Sequence, residues 1–405
     1  MRAALTFAAL ALTATTAFAD GDASFSQVDR GRYLATLGDC AACHTAAGGK
    51  PFAGGVPIET PFGKLIGANI TPDRETGIGT WSEADFQRSM SEGIAKGGYH
   101  LYGAMPYTAY TKVTKEDNAA IFAYLQTLEP VHNEIETNQL PFPFNIRAVL
   151  YGWNLLNFTK GEFKPDPKQS AEWNRGAYIV EGLGHCGTCH TPKTVLGGEK
   201  TSEFLKGNVV DGWLAPDITA NAHSGVGKWS VEELTEYLKT GANKYDIASG
   251  PMAEEVSKSS QYWNDADLKA VAVYLKGLGG TPAVTLQPLK ADDSRMIAGK
   301  ALYSDRCSGC HTPSGEGVPS LFPRLAQAPL VVNADPTSLI RVVLVGSRAG
   351  STDERPTAPA MPSFAWNLGD AEIASVVTYV RNSWGNAAPV VSAGQVKEAR
   401  EHLQP

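Results

Sequence analysis

The 405-residue sequence lacks a surplus of basic side chains. It has 35 Lys and Arg residues against 42 Asp and Glu residues, a formal net charge of −7, and no block of Lys or Arg. A chain with this balance is a poor ligand for nucleic acid, and for anionic lipid through charge alone. Its 43% hydrophobic residues, 41 Gly and 25 Pro indicate globular domains with many turns and exclude a disordered, coiled-coil or collagen-like chain.

The sequence also lacks a membrane-spanning run after its N-terminus. Residues 140–158 form the most apolar later stretch, but they include Arg147, three Asn and two Pro, whereas a span needs about 18 or more uncharged, apolar residues. At the N-terminus, Arg2 precedes an apolar run that ends in Ala17-Phe18-Ala19. We therefore expect residues 1–19 to be a signal peptide that directs the chain to the bacterial periplasm, and we exclude them from the fold.

No cysteine lies outside one repeated motif, Cys-x-x-Cys-His. Six cysteines in an exported protein would first suggest three disulfides, and each pair alone would also suit a dithiol redox site. Neither alternative needs a histidine after every pair or a threefold repeat. The motif instead predicts three covalently bound haem c groups, because two thiols on one side of a helical turn form thioethers with the haem vinyl groups and the histidine points at the iron. The motif residues are Cys40, Cys43 and His44; Cys186, Cys189 and His190; and Cys307, Cys310 and His311.

Methionine is scarce, and three methionines stand beside proline on the C-terminal side of a motif. Met105, Met252 and Met361 follow the motif histidines by 61, 62 and 50 residues. We expect each to lie in a loop, where the stiff proline holds the thioether at a fixed distance from the iron. We also expect the His311 ring to donate its other N–H to the Pro323 carbonyl, because an axial histidine needs an acceptor that fixes its ring. The predicted axial pairs are His44 with Met105, His190 with Met252, and His311 with Met361.

Other side chains offer alternative ligands. Met90 and Met296 lie in helix-like stretches, which favour packing in the core. Ligation by two histidines would need one of the five histidines outside the motifs, and the three segments do not share a histidine at a matching place. His100, five residues before Met105, is the one serious competitor. The five are His100, His132, His185, His223 and His402.

One pattern of helices accompanies all three motifs. A short helical segment with Gly and Tyr precedes each motif, and an amphipathic helix with Asp near its start follows each methionine. We expect the two helices to cross where Gly31, Gly176 or Gly299 permits a close approach, and Trp81 and Trp229 to pack on haem. The predicted fold is all-α, with three tandem class I cytochrome c domains. The predicted boundaries are a signal peptide over 1–19, domains over 20–135, 171–280 and 291–388, linkers over 136–170 and 281–290, and a C-terminal tail over 389–405.

The first linker contains a helix of its own. Ile146, Val149, Leu150 and Trp153 share one helical face, which we expect to pack on a neighbouring domain. Docking of a partner and contact with a membrane interface are the alternatives. The second linker is short and contains proline, so we expect the second and third domains to lie close together.

Longer stretches around the motifs carry a family resemblance. Over essentially the whole mature length, the sequence resembles the triheme cytochrome c subunit of periplasmic membrane-bound dehydrogenases, such as the alcohol, gluconate, glucose and sorbitol dehydrogenases of Gram-negative bacteria. The resemblance implies the same three axial pairs, a partner catalytic subunit with a flavin or quinone cofactor, and electron transfer to ubiquinone. It also implies peripheral attachment to the periplasmic face of the cytoplasmic membrane. The matching stretches are 51–55, 60–63, 69–73, 104–107, 173–178, 184–185, 250–253, 361–364 and 379–386.

The predicted ligand sets favour electron transfer over bond chemistry. A haem whose two axial positions are occupied by protein has no open site for a substrate. We therefore expect an electron-transfer subunit without a substrate site of its own. The alternatives are a triheme carrier for another oxidoreductase, such as a molybdenum aldehyde dehydrogenase, and a haem peroxidase, which would need one displaceable ligand. The sequence has no nucleotide-binding glycine loop, nucleophile elbow or zinc motif.

Overall fold

The computed structural model describes residues 20–280 and 286–403, with side chains described from residue 25 onward. The predicted signal peptide and half of the predicted second linker lie outside these residues. The described part of the chain is mainly helical, with three small sheets of short strands. None of its helices combines the length and the apolarity that a membrane crossing requires.

The elements follow one another in three similar series. The first series and the helix after it are α1 (Asp20–Leu37), α2 (Cys40–His44), β1 (Pro57–Thr60), β2 (Gly63–Ile66), α3 (Glu83–Glu92), α4 (Tyr107–Tyr110), α5 (Lys115–Leu125), β3 (Asn138–Gln139) and α6 (Val149–Asn157). The second is α7 (Ala171–Tyr178), α8 (Gly187–His190), β4 (Asn208–Val210), β5 (Trp213–Ala215), α9 (Val231–Thr240), α10 (Gly250–Lys258) and α11 (Asp265–Gly277). The third is α12 (Ser294–Arg306), α13 (Ser308–His311), α14 (Pro329–Val332), α15 (Thr337–Val345), β6 (Ser347–Arg348), β7 (Ala360–Met361), α16 (Asp370–Arg381) and α17 (Ala393–Leu403).

A pair of crossed helices organises each series, and glycine sits at each crossing. Helix α1 crosses α5, α7 crosses α11, and α12 crosses α16. A side chain at the glycine would collide with the main chain of the partner helix, so only glycine permits these distances. The predicted close approach is confirmed three times. A Cβ added at Gly31 would lie 1.8 Å from the Ala120 oxygen. At Gly176 it would lie 2.0 Å from the Ala270 oxygen, and at Gly299 it would lie 2.3 Å from the Ser375 oxygen.

A few short strands accompany the helices, and the mostly helical structure remains compatible with the predicted all-α class. Strands β1 and β2 form a hairpin closed by the Thr60 hydroxyl, which donates to the Gly63 carbonyl at 2.6 Å, and β3 pairs with β2. Two further two-stranded sheets follow, β4 with β5 and β6 with β7. All of these strands are only two to four residues long, which is too short for an alternating hydrophobic pattern to stand out.

The first two helix pairs share one hydrophobic core and a reciprocal hydrogen-bond network. Leu34, Ile121, Ile179 and Leu268 are all fully buried in this core. The Tyr33 hydroxyl donates to the Asp267 carboxylate at 2.6 Å. The Tyr178 hydroxyl donates to the Asp117 carboxylate, also at 2.6 Å. Each aspartate also accepts hydrogen bonds from an arginine of its own helix pair. Asp267 accepts from Arg175 at 2.7 and 2.8 Å, and Asp117 accepts from Arg30 at 2.8 Å.

The third helix pair has a separate core. Tyr303, Ile373 and Val396 are buried together there, and α17 packs against α15 and α16. The guanidinium of Arg381 is buried and donates to the carbonyls of Pro389, Val331 and Ala334 at 3.0–3.3 Å. Burial lowers the pKa of Arg381 to about 10, so it keeps its charge at neutral pH and fixes the loops around α16.

The predicted contact between the second and third series is confirmed. The Leu214 amide donates to the Ser338 hydroxyl at 2.7 Å, and the Arg341 guanidinium lies 4.9 Å from the Trp213 ring centre. The Gly350 amide donates to the Ala248 carbonyl at 3.3 Å. These bonds are polar and local, in contrast to the continuous core that joins the first two series.

Helix α6 confirms the predicted helix and corrects its predicted inner face. Leu150 is buried and Trp153 is partly buried, but Ile146 and Val149 are 43% and 49% exposed. Ile146 lies before the helix, between two turns, so it does not follow the helical period, and a prediction that includes it makes the inward face too wide. The side chains that instead join Trp153 on the inward face are Asn154 and Asn157.

Candidate haem-attachment sites

Each Cys-x-x-Cys-His motif folds into a single helical turn. The turns are α2, α8 and α13, each following the lead-in helix of its series. The structure describes all six cysteines and joins none of them in a disulfide. Every pair therefore presents two thiols from one turn, with the histidine at its end, which is the donor arrangement that thioether attachment and axial ligation require.

Each motif histidine is locked in one tautomer. The Nδ1 atom lies 2.6 Å from the Ala68 carbonyl in His44, 2.7 Å from the Pro216 carbonyl in His190, and 3.0 Å from the Pro323 carbonyl in His311. A carbonyl only accepts, so Nδ1 carries the proton and Nε2 keeps its lone pair for a metal. The bond predicted between His311 and Pro323 is confirmed, and the other two rings follow the same rule.

The main chain of each histidine is held by a second contact that the spacing of motifs does not predict. The carbonyls of His44, His190 and His311 accept hydrogen bonds from Gly54, Gly207 and Gly317 at 2.7, 2.7 and 3.1 Å. All three glycines have positive φ, at 77°, 94° and 66°, which favours glycine at these positions. They follow the histidines by different intervals, so sequence alone offers only a glycine somewhere after each motif as a signal.

Burial sets the charge of the motif side chains. It lowers the pKa of all three histidines, which favours the neutral imidazole that binds iron. It raises the pKa of the Cys40 and Cys186 thiols to about 12. For Cys43, burial raises the pKa to about 11, and the charges of Asp39 and, more weakly, Cys189 add to it.

The three proline-flanked methionines differ from the other two in burial. Met105, Met252 and Met361 are half-buried, whereas Met90 and Met296 are 3% and 6% exposed and lie in the core. The core prediction for the latter two is confirmed.

The expected loop position holds for only one of the three. Met105 lies in a turn before α4, but Met252 is the third residue of α10 and Met361 lies in β7. Proline explains the helix, because Pro251 suits its first turn, where no N–H bond is lost. The short strand at Met361 arises from pairing with Ser347.

The competing histidine His100 is engaged by the linker. Its Nδ1 lies 3.1 Å from the Asn154 amide nitrogen of α6, and its ring centre lies 4.3 Å from that of Tyr151. Its carbonyl accepts from Arg147 at 2.8 Å. These contacts give His100 a structural role in holding α6.

Trp229 provides a test of whether the residues fit a haem. Its side chain is buried and stacks on Tyr245 with ring centres 5.5 Å apart. Its Nε1–H is buried without an acceptor among the described residues, which costs about 1–3 kcal/mol unless another group accepts it. A haem carboxylate is an acceptor of the required kind. The tautomers, the paired thiols and this donor all fit haem c.

Comparison with known proteins agrees with the motif chemistry. A cytochrome c family model matches residues 28–129 and 296–384. The chain is 40% identical to the gluconate 2-dehydrogenase cytochrome c subunit of Pantoea cypripedii, over 95% of this chain and 92% of that protein. It is 37% identical to the cytochrome c subunit of the quinone-dependent alcohol dehydrogenase of Gluconacetobacter polyoxogenes, over 97% and 88%. The chain belongs to the family of dehydrogenase cytochrome c subunits.

A third relative shows the family's sequence in a longer protein. One subunit of the nicotinate dehydrogenase of Pseudomonas putida is 42% identical over 95% of this chain, which spans about a third of that protein, 32% of its length. Membership of the dehydrogenase cytochrome c subunits confirms the predicted resemblance and implies covalently bound haem c. When bound, haem c supplies reversible one-electron chemistry at its iron.

Proposed function

We propose that this protein carries electrons from a partner dehydrogenase catalytic subunit, with a flavin or quinone cofactor, through three haem c groups to ubiquinone. It would do so at the periplasmic face of the cytoplasmic membrane, to which it attaches peripherally. The observation that carries the proposal is the threefold repetition of one site: two thiols on a helical turn and a histidine whose Nδ1–H donates to a carbonyl 2.6–3.0 Å away.

Three tandem domains follow from the same repetition. Each series of elements has its own glycine crossing and its own motif turn, so each would hold one haem. We assign covalent attachment to Cys40, Cys43, Cys186, Cys189, Cys307 and Cys310, and axial ligation to His44, Met105, His190, Met252, His311 and Met361. With both axial positions filled, the protein exchanges electrons and binds no substrate at iron.

The protein residues set the properties of each site. The carbonyl acceptor orients the imidazole and increases its basicity as a ligand. A methionine thioether in the opposite position raises the reduction potential. The three methionines are only half-buried by protein, which leaves part of each side chain free to be covered by a bound group and supports their assignment.

A redox titration tests this function. We expect three one-electron steps in the holoprotein and a near-infrared thioether-to-iron band that loses about a third of its intensity in Met105→Ala, Met252→Ala or Met361→Ala. Each substitution should lower one midpoint potential by a few hundred millivolts, a part of the ~0.8 V that axial ligands span. Met90→Leu and Met296→Leu are matched controls and should leave all three steps unchanged. A variant that leaves the band intact would disprove the assignment of that methionine.

The match to a nicotinate dehydrogenase subunit favours a second candidate, a carrier for a different class of oxidoreductase, such as a molybdenum aldehyde dehydrogenase. Co-purification of the catalytic partner distinguishes the two functions. A third candidate, a haem peroxidase, requires rapid CO binding by one ferrous haem, and we expect slow or no binding at all three.

A further inference from the structure

The linker between the first two series carries a large exposed apolar surface. Leu155 and Leu156 of α6 are 86% and 73% exposed, and Val149 and Tyr151 are 49% and 64% exposed. At 100° per residue these four side chains occupy the outward half of the helix. Phe142, before the helix, is 78% exposed, and Val195, in the second series, is 94% exposed. We call these six residues the α6 face.

Contacts join α6 to the loop of the second series that carries Val195, so the α6 face is one surface. The Trp153 indole donates to the Leu196 carbonyl at 2.7 Å, which ties α6 to the loop that carries Val195. On the other side, the rings of Phe62 and Phe144 lie 5.1 Å apart, and Phe62 packs close to Gly197 of the same loop. The apolar side chains therefore form a continuous patch across two series of elements.

The polar groups of α6 are bonded inside the protein. The Asn154 carbonyl oxygen accepts from the Tyr107 hydroxyl at 2.6 Å, and the Asn157 amide donates to the Trp153 carbonyl at 3.0 Å. A surface that meets hydrocarbon must satisfy its polar groups in this way, because lipid chains offer no hydrogen bonds. A protein partner would gain hydrogen bonds from the patch only through Tyr151.

Charge is arranged around the α6 face as a lipid interface requires. No charged residue occurs from 148 to 159. Cations stand at both ends: Arg147, and Lys160, which is paired with Glu92 at 2.6 Å. The Arg147 guanidinium lies 4.9 Å from the ring centres of Tyr99 and Tyr102, and aromatic rings with cations are typical of the headgroup level. The protruding tips are leucines, which are under-represented among the residues that dominate protein–protein binding.

We propose that the α6 face inserts into the surface of a phospholipid bilayer, with α6 lying in the plane of the headgroups. The occupant is lipid, and Arg147 is the cation that meets its phosphates, since Lys160 is already paired with Glu92. This inference rests on the proposed function, which puts the electron acceptor in the membrane. Apolar insertion must carry the binding, because the chain is acidic overall and its net charge opposes an anionic bilayer.

The test uses the mature holoprotein and vesicles of phosphatidylethanolamine and phosphatidylglycerol. We expect flotation with the vesicles, and a loss of affinity of about tenfold or more in the double variant Leu155→Ser/Leu156→Ser, because two deeply inserted side chains are removed. The matched control is Ile297→Ser/Val390→Ser, at sites 60% and 41% exposed in the third series, and it should bind like the wild type. Hydrogen exchange should slow on vesicle binding within 142–158 and 194–197.

Three outcomes would overturn the proposal. They are wild-type protein that does not float, a double variant that floats as well as the control, and a double variant that keeps vesicle binding but loses its catalytic partner. The last would identify the face as a protein interface. The redox titration without membranes tests the proposed function separately. The protein can bind vesicles without showing three one-electron steps, and it can show three steps without binding vesicles.

Discussion

The lead-in tyrosines behave differently in the first two series and in the third. Tyr33 and Tyr178 each donate to an aspartate of the other series, whereas Tyr303 donates to the Thr312 carbonyl nine residues away at 2.6 Å. The first two series have merged their cores, and the third keeps its own. The same kind of helix pair therefore occurs in two settings: two copies share one core in the first two series, and the third copy has a core of its own.

The difference shows how a repeat becomes dependent on its neighbour. A bond within one series survives when that series stands alone, but a bond to the other series is lost on separation. The two aspartates make this dependence mutual, because each also holds an arginine of its own helix pair. We therefore expect the first two series to unfold together and the third to unfold independently.

The largest effect is expected from glycine at the crossings. Gly31→Ala places a Cβ against the Ala120 carbonyl, so the helices must separate, and we expect a loss of about 3 kcal/mol or more in the free energy of unfolding. Hydrogen exchange should speed up across 20–280 but not across 294–381. Gly299→Ala should show the opposite pattern. Gly161→Ala is the control, because nothing lies within 4 Å of its added Cβ. Exchange that rises only within 20–125 in Gly31→Ala would contradict a joint unit.

A smaller effect is expected from the bridging aspartates. Asp267→Asn leaves Arg175, whose side chain is only 33% exposed, without its countercharge, and we expect a loss of about 3 kcal/mol. Asp117→Asn should cost about 1–2 kcal/mol, because Arg30 is 58% exposed and remains solvated. Denaturant unfolding measures both. Asp370→Asn, which removes a partner of Arg400, is the control that should affect only the third series. Equal costs for Asp267 and Asp117 would show that arginine burial does not matter here.

The tyrosines should contribute less than the aspartates. Tyr33→Phe and Tyr178→Phe each remove one hydrogen bond to a carboxylate, and we expect losses of about 1.5–2 kcal/mol. Tyr303→Phe removes a bond to a neutral carbonyl and should cost about 1 kcal/mol, confined to the third series. A double-mutant cycle of Tyr33→Phe with Asp267→Asn measures the coupling across the interface. A coupling of zero would mean that the bond contributes nothing to joining the two series.

The smallest effect is a pH dependence. Burial alone would raise the pKa of Asp267, but hydrogen bonds from Arg175 and Tyr33 outweigh it and hold that pKa below its usual value. Its stabilisation is therefore present above the unfolded pKa of about 3.9 and is lost as pH falls through the lower folded pKa. We expect the free energy of unfolding to fall as the pH drops below about 4. The pH titration of unfolding should lose this component in Asp267→Asn and keep it in Asp370→Asn.

Features with a local cause could be predicted from the sequence. The helix crossings follow from a glycine repeated in three lead-in helices, and the Pro323 acceptor follows from the chemistry of an axial histidine. The reciprocal bonds could not be predicted, because Tyr33 and Asp267 are 234 residues apart and no spacing connects them. The expectation of a loop at Met252 rests on proline as a loop signal, although Pro251 also suits a helix start. The outward apolar half of α6 escapes prediction because periodicity finds one face and does not say which face packs.

The reciprocal network also has a consequence in time. A chain that emerges from its N-terminal end presents Tyr33 before Asp267, which lies 234 residues later, so the first helix pair must wait for the second. During that interval the first helix pair exposes the apolar side that the second will cover. The joint unit therefore creates a period of vulnerability to aggregation and proteolysis that the third unit, whose tyrosine finds its acceptor nine residues on, does not share.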